Sequence, residues 1–198
     1  MINLFLSASV PLPDRNAAYY QTADVIAIRE AVKALVETAL GESCIVFGGH
    51  PAITPLIALL LRGLPTDFRR RVILFQSQFF ENDFIEDNQE FIDFRLTPAV
   101  ANDRAQSLRL MRERMLSSKQ FDAAIFIGGM EGITDEYRAF HRLHPNAICY
   151  PIASTGGASL ALYREIAAEN RDLLLDLTYP TLFRRLLKEV KLRSPRAG

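Results

Sequence analysis

Short, uninterrupted apolar runs alternate along this chain with longer stretches in which apolar residues recur every three or four positions. The runs are Ile2–Leu6, Cys44–Phe47, Val72–Phe75, Ala123–Ile127 and Ala147–Pro151. Each has the length of a buried strand. Between them, Val25, Ile28, Val32, Leu35 and Val36 repeat at helical spacing and predict a helix over Ala23–Leu40, with Thr22 as its cap. Further helices are predicted over Thr54–Arg62, Asp103–Ser118, Thr134–Leu143, Ala158–Asn170 and Thr181–Leu192. Ser7–Gln21 reads as a polar loop. Phe79–Pro98 reads as an irregular flap with room for a short strand near Phe91–Leu96.

Strands that are apolar at every position are covered on both faces, and helix-length connections between them favour parallel pairing. The expected fold is therefore α/β: a single domain over residues 1–198 with a Rossmann-like, doubly wound, mainly parallel sheet flanked by helices. A flexible tail is expected over Arg193–Gly198. In such folds ligands bind at the carboxyl ends of the strands.

Composition narrows the picture. Of 198 residues, 49% are hydrophobic, enough for one sizeable core. Lys plus Arg and Asp plus Glu are 23 each, so no bulk charge points to nucleic acid. No apolar segment is long enough to span a membrane, and the start of the chain reads as a strand rather than a signal peptide. Cys44 and Cys149 sit in apolar runs without metal-ligand spacing. Reduced, buried thiols, a cytoplasmic location and no bound metal or cofactor are the expectation.

Three strand ends run into glycines. Ile45–Phe47 leads into Gly48, Gly49, His50 and Thr54; Ala123–Ile127 leads into Gly128, Gly129, Met130, Glu131 and Gly132; Cys149–Ile152 leads into Ser154, Thr155, Gly156 and Gly157. Backbone N–H groups at such junctions, together with the positive end of a helix, favour an anion such as a phosphate. Each Gly-Gly is also an ordinary turn, but three at strand ends favour one shared crevice. Ser7, Ser9 and Arg15 follow the first strand into the same region. His50 serves equally as a ligand hydrogen bond or a loop brace, and Thr54 as a ligand contact or a helix cap. Arg109 and Arg112 share a helix at i, i+3 and suit a phosphate or a surface salt bridge. Glu136 is read as a ribose acceptor, against the alternative of a first-turn dipole partner. Glu131 is either its companion or a solvated loop residue.

The string Ile127-Gly128-Gly129-Met130-Glu131-Gly132-Ile133-Thr134-Asp135-Glu136, with Met111-Arg112-Glu113 upstream, resembles the glycine loop and Arg-bearing helix of the SLOG superfamily, which includes the LOG phosphoribohydrolases. The leading proline and the threonine of the LOG loop are replaced by Ile127 and Ile133, and the glycine spacing is one residue longer. A wider likeness runs from about Phe5 to Ala168. It includes Leu6-Ser-Ala-Ser9, Phe47–Pro55, Gln76-Ser77 and Ser154–Gly157, and is similar to SLOG domains found beside TIR or sirtuin domains in bacterial anti-phage systems. That resemblance implies a sensor for an adenine-containing, NAD-derived signal such as a cyclic ADP-ribose isomer, acting on a TIR or other effector partner. The alternative it leaves open is a LOG-like nucleotide N-glycosidic hydrolase or a nucleoside deoxyribosyltransferase-like enzyme, in which Glu136 and Arg112 are the catalytic pair.

LOG-like folds also imply a homo-oligomer. Its contact is expected at the Met111/Met115 region or the C-terminal helix, both of which carry apolar surplus. The Phe-rich segment Phe79–Phe94 is read as core and dimer surface in preference to a base-stacking platform.

Overall fold

A computed structural model describes residues 1–166 and 168–194. The strands are β1 (Ile2–Ser9), β2 (Ser43–Gly48), β3 (Val72–Ser77), β4 (Asp93–Thr97), β5 (Ala123–Gly128) and β6 (Ile148–Ile152). The helices are α1 (Ala17–Thr22), α2 (Val25–Ala39), α3 (Thr54–Arg62), α4 (Thr66–Arg69), α5 (Arg104–Leu116), α6 (Glu131–Leu143), α7 (Gly157–Glu165), α8 (Asp172–Leu175) and α9 (Tyr179–Arg193). The six strands form one all-parallel sheet in the order β4-β3-β2-β1-β5-β6. The expected single α/β domain with a Rossmann-like parallel sheet is what the chain forms.

Side chains alternate across the sheet and feed two cores. On one face Leu4, Leu6, Ile45, Phe47, Leu74, Ile125 and Ile127 pack under α2, α3 and α9, with Ile28, Val32, Leu35, Phe183 and Leu186 among their partners. On the other face Phe5, Val46, Ile73, Phe75 and Phe126 pack under α5, α6 and α7. Phe5 is at the centre of this second core, stacked on Phe140 at 5.6 Å and edge-on to Phe121 and Phe126. Full burial of one such ring contributes about 2–3 kcal/mol.

Several local expectations are corrected. The first strand continues to Ser9, and the supposed loop after it contains α1, capped by Asn16, whose side chain accepts from Ala18 N–H at 3.1 Å. No residue of α1 is buried, so it left no apolar period to read. Asp24, not Thr22, caps α2, accepting from Ala27 N–H at 2.9 Å. The flap resolves into 3-10 turns over Gln78–Asp83 and Glu86–Glu90, followed by β4 at the sheet edge. Helix α6 begins at Glu131, three residues early, and α7 ends at Glu165.

Of the two surfaces expected to form a dimer, the Met111/Met115 region is interior, and α9 turns most of its apolar side chains inward. Met111 and Met115 lie in the second core, and α9 buries Leu182, Phe183, Leu186 and Val190 against the first. Most of that apolar surplus is used within the chain itself, and Leu192 of α9 stays exposed. Of the expected loose tail, Arg193 closes α9, and residues 195–198 lie outside the described residues. No helix among the described residues is long and apolar enough to cross a membrane.

Candidate functional site

The chain reverses its direction of winding between β1 and β5, which pair directly although β2, β3 and β4 intervene in sequence. Such a switch point leaves a crevice at the strand carboxyl ends. Here it opens into a cleft of about 1160 Å³, bounded by the ends of β1, β2 and β3, by α5 and α6, and by the 3-10 segment after β3. That volume takes a nucleotide-sized molecule.

Three side chains from three elements meet in it. Ser7, near the end of β1, donates from Oγ to Glu136 Oε2 at 2.6 Å. Arg112, on α5, donates from Nε to Glu136 Oε1 at 3.2 Å and stands 3.6 Å from Asp135 Oδ2 through Nη1. The register that sets Ser7 opposite Phe126 explains the meeting, because α6 leaves β5 and crosses back over β1. Gly132 leaves the space the guanidinium occupies: a Cβ there would stand 3.1 Å from Arg112 Nη2. Both oxygens of Glu136 are thus held, and its carboxylate is fixed in position at the cleft wall.

The first turn of α6 also lines the cleft, through Met130, Glu131 and Gly132. Met130 occupies the N-cap position and provides no side-chain cap; its carbonyl oxygen accepts from Ile133 N–H at 2.9 Å, and the Glu131 carboxylate accepts from its own backbone N–H. Asn16 donates to Glu131 Oε1 at 2.6 Å, tying the stretch before α1 to this helix end. That bond, then the residue's own backbone N–H, holds the Glu131 carboxyl below the usual range.

At the end of β2, Gly48, Gly49, His50 and Thr54 all line the cleft. Thr54 Oγ1 accepts from His50 N–H at 3.0 Å, and His50 Nδ1 accepts from Ala52 N–H at 3.2 Å. With Nδ1 accepting, the neutral ring carries its proton on Nε2. Burial, with Arg15 nearby, pushes the imidazole down to about 4.

The residues after β6 take a different place. Thr155, Gly156 and Gly157 do not line the cleft, and neither do Gly128 and Gly129. They form the support behind it. Gly128 N–H donates to Thr155 Oγ1 at 2.9 Å, Gly129 N–H to Ser9 O at 2.8 Å, and Ala158 N–H to Gly129 O at 2.9 Å. The positive φ angles of Gly128 and Gly129, 61° and 77°, make the turn that delivers Met130 to the head of α6. Ser9 lines the cleft and supplies that backbone brace.

Five arginines and five carboxylates line the cleft. Among the described residues, Arg15, Arg104, Arg109 and Arg142 form no ion pair, whereas Glu136 and Asp135 are both engaged by Arg112. Asp83, Glu113 and Glu131 form none either, so the cleft carries both signs, with four arginines free of ion pairs to meet the anionic groups of a ligand.

The SLOG cluster3 family matches residues 18–187. The chain belongs to the SLOG cluster3 family. For a SLOG domain this implies a nucleotide ligand, within a sensor or a LOG-like function. The matched span includes Arg112, the Gly128–Gly132 turn and Glu136, and excludes Ser7 and Ser9 of β1. No curated protein and no solved structure matches the chain.

Sequence reasoning missed Phe80, Phe84 and Arg104 as cleft residues of this SLOG domain, and Asn16 as the partner of Glu131. The signal available for Phe80 was its position, four residues beyond Gln76 at the carboxyl end of β3, where parallel sheets bind ligands.

Proposed function

We propose that this SLOG domain is a sensor whose cleft binds an adenine-containing, NAD-derived nucleotide, such as a cyclic ADP-ribose isomer, and passes its occupancy to a TIR or other effector partner. The observation that carries the reading is the Ser7–Glu136–Arg112 network beside the head of α6. In this assignment Glu136 accepts ribose hydroxyls, and the arginines that form no ion pair take the phosphates, aided by the positive end of α6. Gly128 and Gly129 act by shaping the loop, since their N–H groups are already bonded, and Thr155, Gly156 and Gly157 act from behind it. The class of signal and the effector rest on the resemblance to TIR-associated SLOG domains. A homo-oligomer that rearranges on binding completes the proposal. Its contact surface is one other than Met111/Met115, which lie in the core.

Ligand binding switches a partner only by stabilising one arrangement over another. The cleft has the parts for this, because its walls come from α5, α6 and the 3-10 segment, and a ligand touching all three ties them together.

The 3.2 Å approach of Arg112 to Glu136 also suits N-glycosidic hydrolysis, with the carboxylate stabilising positive charge at C1′. Incubation with AMP, NAD and cyclic ADP-ribose isomers, followed by thermal shift and product analysis, separates the two. A raised melting temperature without product supports the sensor. Steady release of free base supports the hydrolase and overturns the sensor reading.

A further inference from the structure

The two ends of the cleft differ in chemistry. The end by β1 and β5 is polar and charged, with Arg112, Glu136 and the head of α6. The end by β2 and β3 adds the apolar side chains Phe80, Phe84 and Leu108, with Gln76, Arg104 and Asp83 beside them. A nucleotide has the same polarity, charged at its phosphates and flat and apolar at its base.

Phe80 is half-buried, and its backbone leaves helical geometry at φ −103° and ψ 18°, breaking the 3-10 turn at that residue. The ring meets Phe79 edge-on at 5.0 Å, and the Arg104 guanidinium carbon stands 5.9 Å from its centroid. One residue on α5 and one on the 3-10 segment thus hold the ring at the cleft wall. Gln76, at the end of β3, lies across Gly49: a Cβ on Gly49 would stand 2.1 Å from Gln76 Nε2. The glycine is what lets the amide lie there. Among the described residues this side-chain amide has no hydrogen-bond partner; the backbone oxygen of Gln76 accepts from Thr97 Oγ1 at 3.4 Å.

We propose that Phe80 and Gln76 form the base-recognition end of the cleft: Phe80 stacks on a purine, and Gln76 reads the N6/N7 edge that marks it as adenine. This deepens the proposed nucleotide sensor and rests on it. Every base offers a face to stack on, so Phe80 supplies affinity for a base without choosing among bases. The choice falls to Gln76. Its amide offers one acceptor and one donor side by side, matching the N6–H donor and N7 acceptor of adenine. Guanine presents two acceptors on that edge, O6 and N7, and leaves the amide oxygen facing an acceptor.

Calorimetric titration with AMP, GMP and ribose 5-phosphate tests this in wild type, Phe80→Ala, Phe80→Tyr and Gln76→Glu. The expected order for wild type is AMP, then GMP, then ribose 5-phosphate. Phe80→Ala is expected to weaken AMP on the order of tenfold while leaving ribose 5-phosphate unchanged, and Phe80→Tyr to restore AMP. Gln76→Glu replaces the donor with a second acceptor, which suits the N1–H and N2–H groups of guanine, so the ratio of AMP to GMP affinity is expected to fall about tenfold. Restoration by Phe80→Tyr and a changed ratio in Gln76→Glu are readouts that misfolding does not produce. Unchanged AMP affinity in Phe80→Ala together with an unchanged ratio in Gln76→Glu overturns the inference. No heat from wild type with either mononucleotide overturns it alone if a cyclic ADP-ribose isomer binds, and overturns the proposed function with it if none does.

Discussion

Arg112 reaches from α5 to Glu136 on α6 and donates to its carboxylate at 3.2 Å, with the two side chains 22% and 16% exposed. A contact this shielded joins two walls of the cleft through one hydrogen bond, and Ser7 fixes the other oxygen from the sheet. Removing either partner leaves the other short of a bond in a half-buried place.

A double-mutant cycle measures that link. Arg112→Ala and Glu136→Gln are each expected to lower unfolding stability. The double variant should lose less than the sum, giving a coupling of about 1 kcal/mol. Urea unfolding of the four proteins reads it. Strict additivity would place the two side chains in separate environments.

His50 sets a pH dependence. Its folded value, about 4, lies below the ordinary 6.5, chiefly because burial disfavours the charged ring and secondly because Arg15 is near. The unfolded chain therefore takes up the proton first as pH falls. This contribution to stability is complete above about pH 6.5 and is lost between there and about pH 4. The loss across that window is about 1–3 kcal/mol. Denaturant unfolding at pH 7.5 and pH 4.5 should show wild type losing more stability than His50→Gln. Equal losses would remove His50 as the cause.

Gly156 is fixed by a neighbouring backbone. It has φ +70°, and a Cβ there would stand 1.8 Å from Thr22 O, at the junction of α1 and α2. Gly156→Ala should destabilise by about 3 kcal/mol or more, since neither the backbone conformation nor the contact has an easy relaxation. Gly41→Ala, with nothing within 4 Å, should change stability by less than about 1 kcal/mol. Similar melting temperatures for the two variants would contradict the packing described.

Both thiols are free, and burial pushes each up, Cys149 to about 12. Thiolate is the reactive form, so neither should react with a thiol-directed disulfide reagent at pH 8 in the folded chain. Both should react once it is unfolded in guanidinium. Fast labelling of the native protein would contradict the shielding of Cys44, which is buried, and Cys149, which is half-buried.

The core strands were legible because β1, β2, β3 and β5 are buried on both faces, and their apolar runs have no other reading. The edge strand β4 was much less so. Only Thr97 of its five residues is buried, and Asp93 and Arg95 pair with each other at its surface, so its composition resembles a loop. In the site, the Gly48–Gly49 and Gly128–Gly132 junctions were legible from strand ends and glycines. The position of Gly156 was not, because it depends on Thr22, more than a hundred residues away in sequence. The methionines of α5 misled for a related reason. Apolar surplus on a helix reports that a face is covered, and only the fold shows that β2 and β3 cover it.

In the proposed function Glu136 holds the ribose of an adenine nucleotide in this cleft. Calorimetric titration of wild type and Glu136→Gln with cyclic ADP-ribose isomers, ADP-ribose and AMP tests it most directly. The substitution keeps the shape and removes the charge that strengthens bonds from ribose hydroxyls. Wild type should therefore bind at least one of these ligands, and the variant should bind it more weakly by about 1–3 kcal/mol, roughly ten- to a hundredfold. Equal affinities would take Glu136 out of the site, and no heat from wild type with any of the ligands would contradict the nucleotide-sensor account itself.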